Sequence, residues 1–156
     1  MENLNKITEN LDINELLEFL EIRNYKPIEI HKYKTGHLYV DIILNGVEGK
    51  FILDTDAGKT VIEEKKKKIF EIISCESDKT ATGAGGEMSI QISENNNLKI
   101  EHYKIENLQI ILMNLDHINN AFKNLGLDEV DGVIGSDILI SGKAIIDYTN
   151  MVLFLK

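Results

Sequence analysis

Apolar and polar residues alternate through the segment HLYVDIILNGVEGKFIL, residues 37–53. A period of two is typical of a half-buried β-strand, because successive side chains point to opposite faces. Asn45-Gly46 interrupts the pattern with a dipeptide that two-residue hairpin turns favour, since both residues tolerate positive φ. The segment therefore predicts a β-hairpin whose second strand ends at Leu53. Four apolar residues of the first strand share one face: Leu38, Val40, Ile42 and Leu44.

Further alternating stretches on both sides of this hairpin predict a mainly β chain with short helices. Residues 12–24 carry apolar side chains at helical spacing, and Asp12 with Glu15 forms a capping box, so we expect an N-terminal helix. Pro27 marks the change to extended chain. Three other segments predict short helices: 61–71, 116–126 with Asp116 as its cap and Gly126 at its end, and the residues after Gly135. Residues 143–156 predict a closing hairpin.

Several polar clusters are interpreted as solvated surface. Lys65–Lys68 predicts an exposed helix face, and Asn95–Asn97 predicts a loop tip. Asp128, Glu129 and Asp131 lack the alternating ligands of a calcium loop, so we interpret them as loop charge. The four histidines have no zinc-ligand spacing. We therefore expect no metal and no other cofactor.

Composition limits the partners and the compartment. The chain has 156 residues and a formal net charge of −9, which disfavours nucleic acid, because phosphates require a basic face. The polar start MENLNKITENLD lacks the apolar core of a signal peptide, and no apolar run reaches membrane-spanning length. A single cysteine, Cys75, favours a reducing compartment. We expect a cytoplasmic protein that binds neither nucleic acid nor membrane.

Residues 50–64, KFILDTDAGKTVIEE, carry two competing functional signals. Gly58-Lys59-Thr60 is similar to the end of a phosphate-binding loop. Such a loop requires glycine five positions before Gly58, where this chain has Leu53, and the surrounding βαβ alternation is missing. The other signal is Asp54, which an apolar strand delivers to a tight loop. We therefore favour a site built on the Asp54 carboxylate over nucleotide binding.

The loop Asp54-Thr55-Asp56-Ala57-Gly58 and the later stretch Val133-Ile134-Gly135 resemble the two motifs of the retropepsin-like aspartic proteases. That family has D-T-G-A-S or D-T-G-A-T after an apolar strand, and two apolar residues and glycine before its C-terminal helix. TGAGGE, residues 82–87, falls where the family has its flap. The resemblance covers residues 28–156 and implies a mainly β, closed barrel of the acid-protease-half type with short helices, preceded by an N-terminal helical arm, residues 1–27.

The resemblance implies an aspartic endopeptidase that acts on polypeptides as a homodimer. The family's mechanism uses two carboxyl groups that share a proton, and this chain has one such loop, so the second Asp54 is expected from a twin copy. Thr55 would brace the two loops across the dimer, and Ala57 would pack beneath the loop. The residues expected to bind substrate lie in the loop and the flap: Thr55, Asp56, Ala57, Gly83, Ala84, Gly85 and Gly86.

Two departures from the family pattern leave activity open. Asp56 stands where the family has glycine, and Gly58 where it has serine or threonine. Asp56 adds bulk and charge where a peptide would lie, which favours an altered substrate preference or an acidic optimum. The alternative is an impaired member that acts as a binding or dimerisation module. Taken alone, Asp54 also fits a loop carboxylate in an Asx turn, and residues 83–86 fit a plain hairpin turn.

Overall fold

The computed structural model describes residues 13–83 and 86–156. Its helices are α1 (Ile13–Glu21), α2 (Asp116–Asn124) and α3 (Ser136–Ser141), and a 3-10 turn covers Glu64–Lys66. The strands follow in chain order: β1 (Lys26–Glu29), β2 (His31–Lys32), β3 (Leu38–Leu44), β4 (Val47–Leu53), β5 (Val61–Glu63), β6 (Cys75–Gly83), β7 (Gly86–Ile100), β8 (Tyr103–Met113), β9 (Gly132–Ile134), β10 (Ile145–Asp147) and β11 (Val152–Leu155).

Six strands close into a barrel. They pair in the order β3-β4-β9-β5-β8-β7, and β7 pairs back onto β3 through Ile43 with Lys99 and Leu44 with Leu98. β2 extends the sheet from β3, and β6 extends it from β7. The expected mainly β fold with a closed barrel and short helices is confirmed.

The predicted hairpin forms the first two barrel strands. β3 and β4 are antiparallel, and their turn has Asn45 at φ 49° and Gly46 at φ 84°. β4 ends at Leu53, as predicted. All four residues of the predicted β3 face are buried, and each large aliphatic side chain moved from water contributes about 1.5–3 kcal/mol. This hairpin therefore supplies one wall of the core.

A second, three-stranded sheet joins the first described strand of the chain to its last two strands. Its order is β1-β11-β10, with antiparallel pairing throughout. The predicted closing hairpin is confirmed as β10 and β11, and β1 begins at Lys26, next to Pro27. α1 confirms the predicted N-terminal helix and buries Leu20. Asp12, its expected cap, lies outside the described residues, so the capping box stays a prediction.

The helix predicted for residues 61–71 is wrong. Val61–Glu63 form β5, which runs parallel to β8 and antiparallel to β9, and helical geometry is limited to the 3-10 turn that follows. Val61 and Ile62 are buried between these two neighbours. Two β-branched residues fit a central strand well, so tertiary pairing overrode the weak helical signal.

The lysine run is not an exposed helix face, and one of its partners corrects a second prediction. Lys65 pairs with Asp116 at 2.5 Å, and Lys66 pairs with Asp131. The Asp131 side chain is only 18% exposed, and its Oδ2 also accepts a hydrogen bond from the backbone N of Lys50 at 2.8 Å. Asp131 is therefore a structural carboxylate that joins three segments, not a solvated loop charge.

Asn95–Asn97 lie inside β7 and do not form the predicted loop tip. Asn96 is buried, and its Nδ2 donates to Ser93 Oγ at 2.9 Å and to the Leu108 carbonyl at 3.2 Å. Asn45 Nδ2 donates to Asn96 Oδ1 at 3.0 Å. These bonds satisfy a polar side chain at a bulge in the β7–β8 pairing, a situation that composition alone does not reveal.

The predicted helix after residue 115 is confirmed as α2, but its expected cap is wrong by one residue. Asp116 is the first helical residue, and the capping position is occupied by Leu115, whose side chain cannot accept a hydrogen bond. Asn114 Oδ1 accepts from the backbone N of Asp116 at 2.8 Å instead. Gly126, at φ 70°, follows the helix end as predicted.

Candidate active site

Asp54 lies where β4 leaves the barrel. β4 runs parallel to β9, with Leu53 opposite Ile134, and the backbone N of Asp54 donates to the Ile134 carbonyl at 3.0 Å. Leu53 and Ile134 are buried, whereas Asp54 is exposed. The change from buried strand to exposed carboxylate occurs within one residue, so Asp54 is held on a rigid element and faces solvent.

One oxygen of the Asp54 carboxylate is held by its own loop. Asp54 Oδ1 accepts a hydrogen bond from the backbone N of Asp56 at 2.9 Å, which is the geometry of an Asx turn. Within the described part of the chain, Asp54 Oδ2 has no hydrogen-bond partner. The loop therefore fixes the direction of the carboxyl group and leaves one oxygen free for a water or a ligand.

A buried threonine supports this loop from below. Thr60 is fully buried; its Oγ1 donates to Asp137 Oδ1 at 2.8 Å, and its backbone N donates to Asp137 Oδ2 at 3.0 Å. The backbone N of Gly135 donates to Thr60 Oγ1 at 3.1 Å. Sequence reasoning missed both Thr60 and Asp137. In the sequence, Thr60 is only a threonine before two apolar residues, and Asp137 is only an aspartate in the first turn of a short helix.

Gly135 allows the two predicted motifs to touch. A Cβ at Gly135 would lie 2.5 Å from the Lys59 carbonyl carbon and 2.8 Å from the Ala57 oxygen. The next residue, Ser136, donates its backbone N to that same Ala57 oxygen at 2.7 Å. Only glycine permits this approach, so the start of α3 is packed directly under the Asp54 loop.

The other loop residues differ in exposure. Ala57 is half-buried against a small apolar cluster that includes Val61 and Val133, whereas Thr55 and Asp56 are exposed. Gly58 is also exposed, and a Cβ there would meet nothing within 4 Å. The position of the family hydroxyl is therefore open space at the surface of this chain.

The flap candidate is the tip of the hairpin made by β6 and β7. Gly83 pairs with Gly86 there, and Gly86 has φ +89°. Ala84 and Gly85 lie outside the described residues. The hairpin geometry fits both a flap and a plain turn, so the sequence alternatives for this segment stay open.

Thr55 borders an open depression of about 390 Å³. Its walls come from α3 and the start of the closing hairpin, and they include Leu139, Ile140 and Ile146. Ile140 is 75% exposed, and Ile145 and Tyr148 nearby on the hairpin are 37% and 67% exposed. An apolar surface therefore adjoins the Asp54 loop.

The described residues contain neither a metal centre nor a membrane-spanning helix. Nowhere in residues 13–83 and 86–156 do three His, Cys, Asp or Glu side chains cluster as metal ligands would. Over the same ranges, no helix is long and apolar enough to cross a membrane. The Asp54 loop is the candidate site on which the predicted residues and the geometry agree.

Comparison with known proteins points to one family. A family model described as aspartyl protease matches residues 40–138, which is more than half of the chain. A search of curated proteins found no match. The match begins in β3 and ends in α3, so it contains both the Asp54 loop and the Gly135 motif.

Two solved structures have the same fold. A retropepsin-like aspartic protease from Rickettsia conorii is similar with a TM-score of 0.53 and 18% identity, covering 84% of this chain and 90% of that one. EIAV protease, solved in complex with the inhibitor HBY-793, is similar with a TM-score of 0.55 and 15% identity, covering 75% of this chain and 99% of that one. With the family match and the barrel described above, the chain belongs to the aspartyl protease family and has the retropepsin-like fold.

Proposed function

We propose that this protein is an aspartic endopeptidase whose active site forms between two copies of the chain. The observation that carries the proposal is the exposed Asp54 carboxylate at the end of β4, with Oδ1 held by the Asp56 backbone N at 2.9 Å. A carboxylate fixed on a rigid strand end, with one oxygen free, is suited to hold a hydrolytic water. Family membership supplies the reaction class.

In the proposed reaction, a water lies between the two Asp54 carboxyl groups, one ionised and one protonated. The ionised group takes a proton from the water while the water oxygen attacks the scissile carbonyl carbon. The protonated group donates its proton to the carbonyl oxygen. The C–N bond of the tetrahedral intermediate then breaks. The leaving amine takes the proton that the first carboxyl group received from the water, and one hydroxyl of the intermediate returns a proton to the second, so that a new carboxyl group and a new amine result.

The surface beside Thr55 supports a twofold dimer. β10 is an edge strand of its three-stranded sheet; it begins at the exposed Ile145, and the exposed Ile140 and Tyr148 lie beside it. An edge strand with apolar neighbours is a template for pairing with another chain. Pairing of β10 with its twin would bury these side chains and bring two Thr55 residues, and with them two Asp54 loops, toward one axis.

The described part of the N-terminal arm leaves this surface accessible. Leu16 of α1 helps to line a shallow pocket beside Ile145 and Tyr148, yet both of those side chains keep the exposure given above. The described residues of the arm therefore border the proposed interface without covering it.

The substrate proposed for this site is an extended polypeptide. The β6–β7 hairpin would act as a flap, with Gly83, Ala84, Gly85 and Gly86 at its tip, and a peptide between flap and loop would bind mainly through its backbone. Thr55, Asp56 and Ala57 would form the floor. Asp56 is exposed and adds a carboxylate to that floor in each copy.

The test is cleavage of an unfolded protein from pH 3 to pH 8, with the wild type and two variants. We expect wild-type cleavage to be lost in Asp54→Asn, because a neutral amide cannot activate the water. Asp56→Gly is expected to raise cleavage by about tenfold or more, since it removes charge and bulk from the floor. Cleavage that persists in Asp54→Asn would contradict the assignment of Asp54.

A binding or dimerisation module is the second candidate. It is favoured by the Asp56 carboxylate and by the absence of a hydroxyl at Gly58, both at the loop that carries Asp54. This candidate predicts no cleavage by the wild type or by Asp56→Gly at any pH, together with dimer formation. Cleavage by Asp56→Gly alone would identify a protease fold impaired at that one residue.

A further inference from the structure

A pocket of about 680 Å³ lies between the β7–β8 turn, the start of β1 and the last residues of the chain. We define the basic pocket by six of its lining residues: Lys26, Lys99, His102, Tyr103, Lys104 and Lys156. None of the described residues that line it has an acidic side chain. Its volume falls in the range of small-molecule sites. Four ammonium groups thus share one concave surface on a chain whose formal net charge is −9.

The register of the sheet places two of these lysines against each other. Lys99 on β7 and Lys104 on β8 are directly opposite in the antiparallel pairing. Like charges in that position destabilise a sheet, so folding alone does not account for the pair. An anion bound between the two ammonium groups would remove the repulsion.

The ammonium groups of the basic pocket keep hydrogen-bond donors for such an anion. Among the described residues, none of the four forms an ion pair with a carboxylate. Glu101, in the same turn, has its Oε1 engaged with the backbone N of Glu29 at 3.0 Å. Lys26 Nζ donates to the His102 carbonyl at 3.2 Å, which fixes one wall of the pocket. No described carboxylate therefore pairs directly with these ammonium groups, and Lys99 also borders a neighbouring depression that is lined by acidic residues.

We propose that the basic pocket binds a small anion that carries two or more phosphate groups. Lysine ammonium groups bind phosphate as point charges, and several of them around one cavity match a ligand with several negative charges. The acidic remainder of the chain would repel the further phosphates of a nucleic acid, so a compact ligand fits better than a long polyanion.

The basic pocket is remote from the Asp54 loop. Tyr39 of β3 pairs with Ile52 beside that loop, whereas Leu44 at the other end of β3 pairs with Leu98 beside the pocket. These two β3 positions are roughly 17 Å apart along the strand. The site therefore stands independently of the proposed peptidase, and its test uses binding and thermal stability instead of cleavage.

The experiment measures binding of sodium tripolyphosphate to the full chain by calorimetry at about 20 mM salt, where screening is weak. The wild type is expected to bind one anion per chain, and its thermal midpoint is expected to rise. Lys99→Gln with Lys104→Gln is expected to bind about tenfold or more weakly. Without the anion, this double variant keeps or gains stability, because the like-charge pair is gone. If the double variant does not fold, tripolyphosphate binding is measured with the single variant Lys104→Gln and is expected to be weaker than in the wild type.

The matched control replaces two exposed lysines outside the pocket, Lys34→Gln with Lys68→Gln, and changes the net charge equally. It is expected to bind like the wild type. If the control and the pocket variant lose affinity for tripolyphosphate equally, or if the wild type does not bind it, the proposed site is wrong.

Tighter binding of citrate or of a short single-stranded DNA than of tripolyphosphate would contradict the proposed ligand class. If phosphoinositide vesicles bind the protein and tripolyphosphate displaces them, the phosphate groups belong to a lipid headgroup. If the vesicles do not bind in this way, the ligand is a soluble phosphate compound.

Discussion

Thr60 is the residue on which the shape of the Asp54 loop depends most directly. It is fully buried, and three hydrogen bonds connect it to Asp137 and Gly135. Thr60→Val keeps the side-chain shape but leaves Asp137 Oδ1 and the Gly135 N–H without this hydroxyl. We expect the free energy of unfolding to fall by about 1–3 kcal/mol in urea titrations.

Thr80→Val is the matched control, since Thr80 is exposed on β6. It is expected to change the free energy of unfolding by less than about 0.5 kcal/mol. Equal stability of the Thr60 and Thr80 variants would mean that the buried hydroxyl does not support the loop.

Asp147 predicts a pH dependence of stability. Burial acts to raise the pKa of its carboxyl, but hydrogen bonds from the Asn150 side chain and from the backbone N of Asn150 and Thr149 outweigh it, so the pKa is lowered. A lowered folded-state pKa stabilises the fold above the ordinary aspartate value of about 3.9 and loses that contribution as the pH falls through the folded value. Asp147→Asn should therefore be less stable than the wild type at pH 7, with the difference shrinking as the pH falls through the folded-state pKa.

Denaturant unfolding at several pH values measures this difference. The exposed loop residue Asp128 provides the comparison, because its carboxylate has no hydrogen bond within the described residues. Asp128→Asn is expected to leave the pH profile unchanged. A stability gap for Asp147→Asn that is constant down to pH 2 would contradict the role of the carboxylate hydrogen bonds.

Residues that act locally could be predicted from the sequence, and residues that act across the chain could not. Asp54 was found because an apolar strand and a known loop pattern surround it. Thr60 and Asp137 were missed because their contact joins positions 77 residues apart. Asp131 was misinterpreted for the same reason, since its partners Lys50 and Lys66 are also distant in sequence.

At the scale of elements, β10 and α3 carry the proposed dimer surface. Ile140 on α3 is 75% exposed and borders the depression beside Thr55. Ile140→Lys would place two ammonium groups in the twofold interface, so we expect the dimer dissociation constant to rise by about tenfold or more. Sedimentation over a range of protein concentrations measures this change.

Ile73→Lys is the matched control, because Ile73 is 86% exposed and does not border that depression. It is expected to leave the association unchanged. A compact monomer for the wild type at high concentration would contradict the proposed interface. If both substitutions weaken the dimer equally, the dimer forms through another surface.

Elements with a clear local period were predicted well, and elements defined by their neighbours were not. The β3–β4 hairpin follows from alternation and Asn45-Gly46 alone. β5 was missed because its three residues become a strand only between β8 and β9. The bulged middle of β7 was missed because its three asparagines are polar, and the partners that bury Asn96 lie on other strands.

At the scale of the whole molecule, the closed barrel positions the Asp54 loop. Its closure from β7 back onto β3 uses every barrel strand once, and the Asp54 loop emerges at a single point between β4 and β9. The closure itself depends on the pairing of Leu44 with Leu98, which no local pattern predicts. The family resemblance predicted a closed barrel, and the structure supplied its strand order and the pairing that closes it.

The most direct test of the shared site mixes wild-type protein with Asp54→Asn under conditions of subunit exchange and measures cleavage at constant total protein. If each site needs Asp54 from both copies, an equal mixture has about one quarter of the wild-type activity, because only dimers of two wild-type chains are active. If each chain worked alone, the same mixture would keep about one half. We predict the quadratic dependence on the wild-type fraction, and a linear dependence would contradict the two-copy active site.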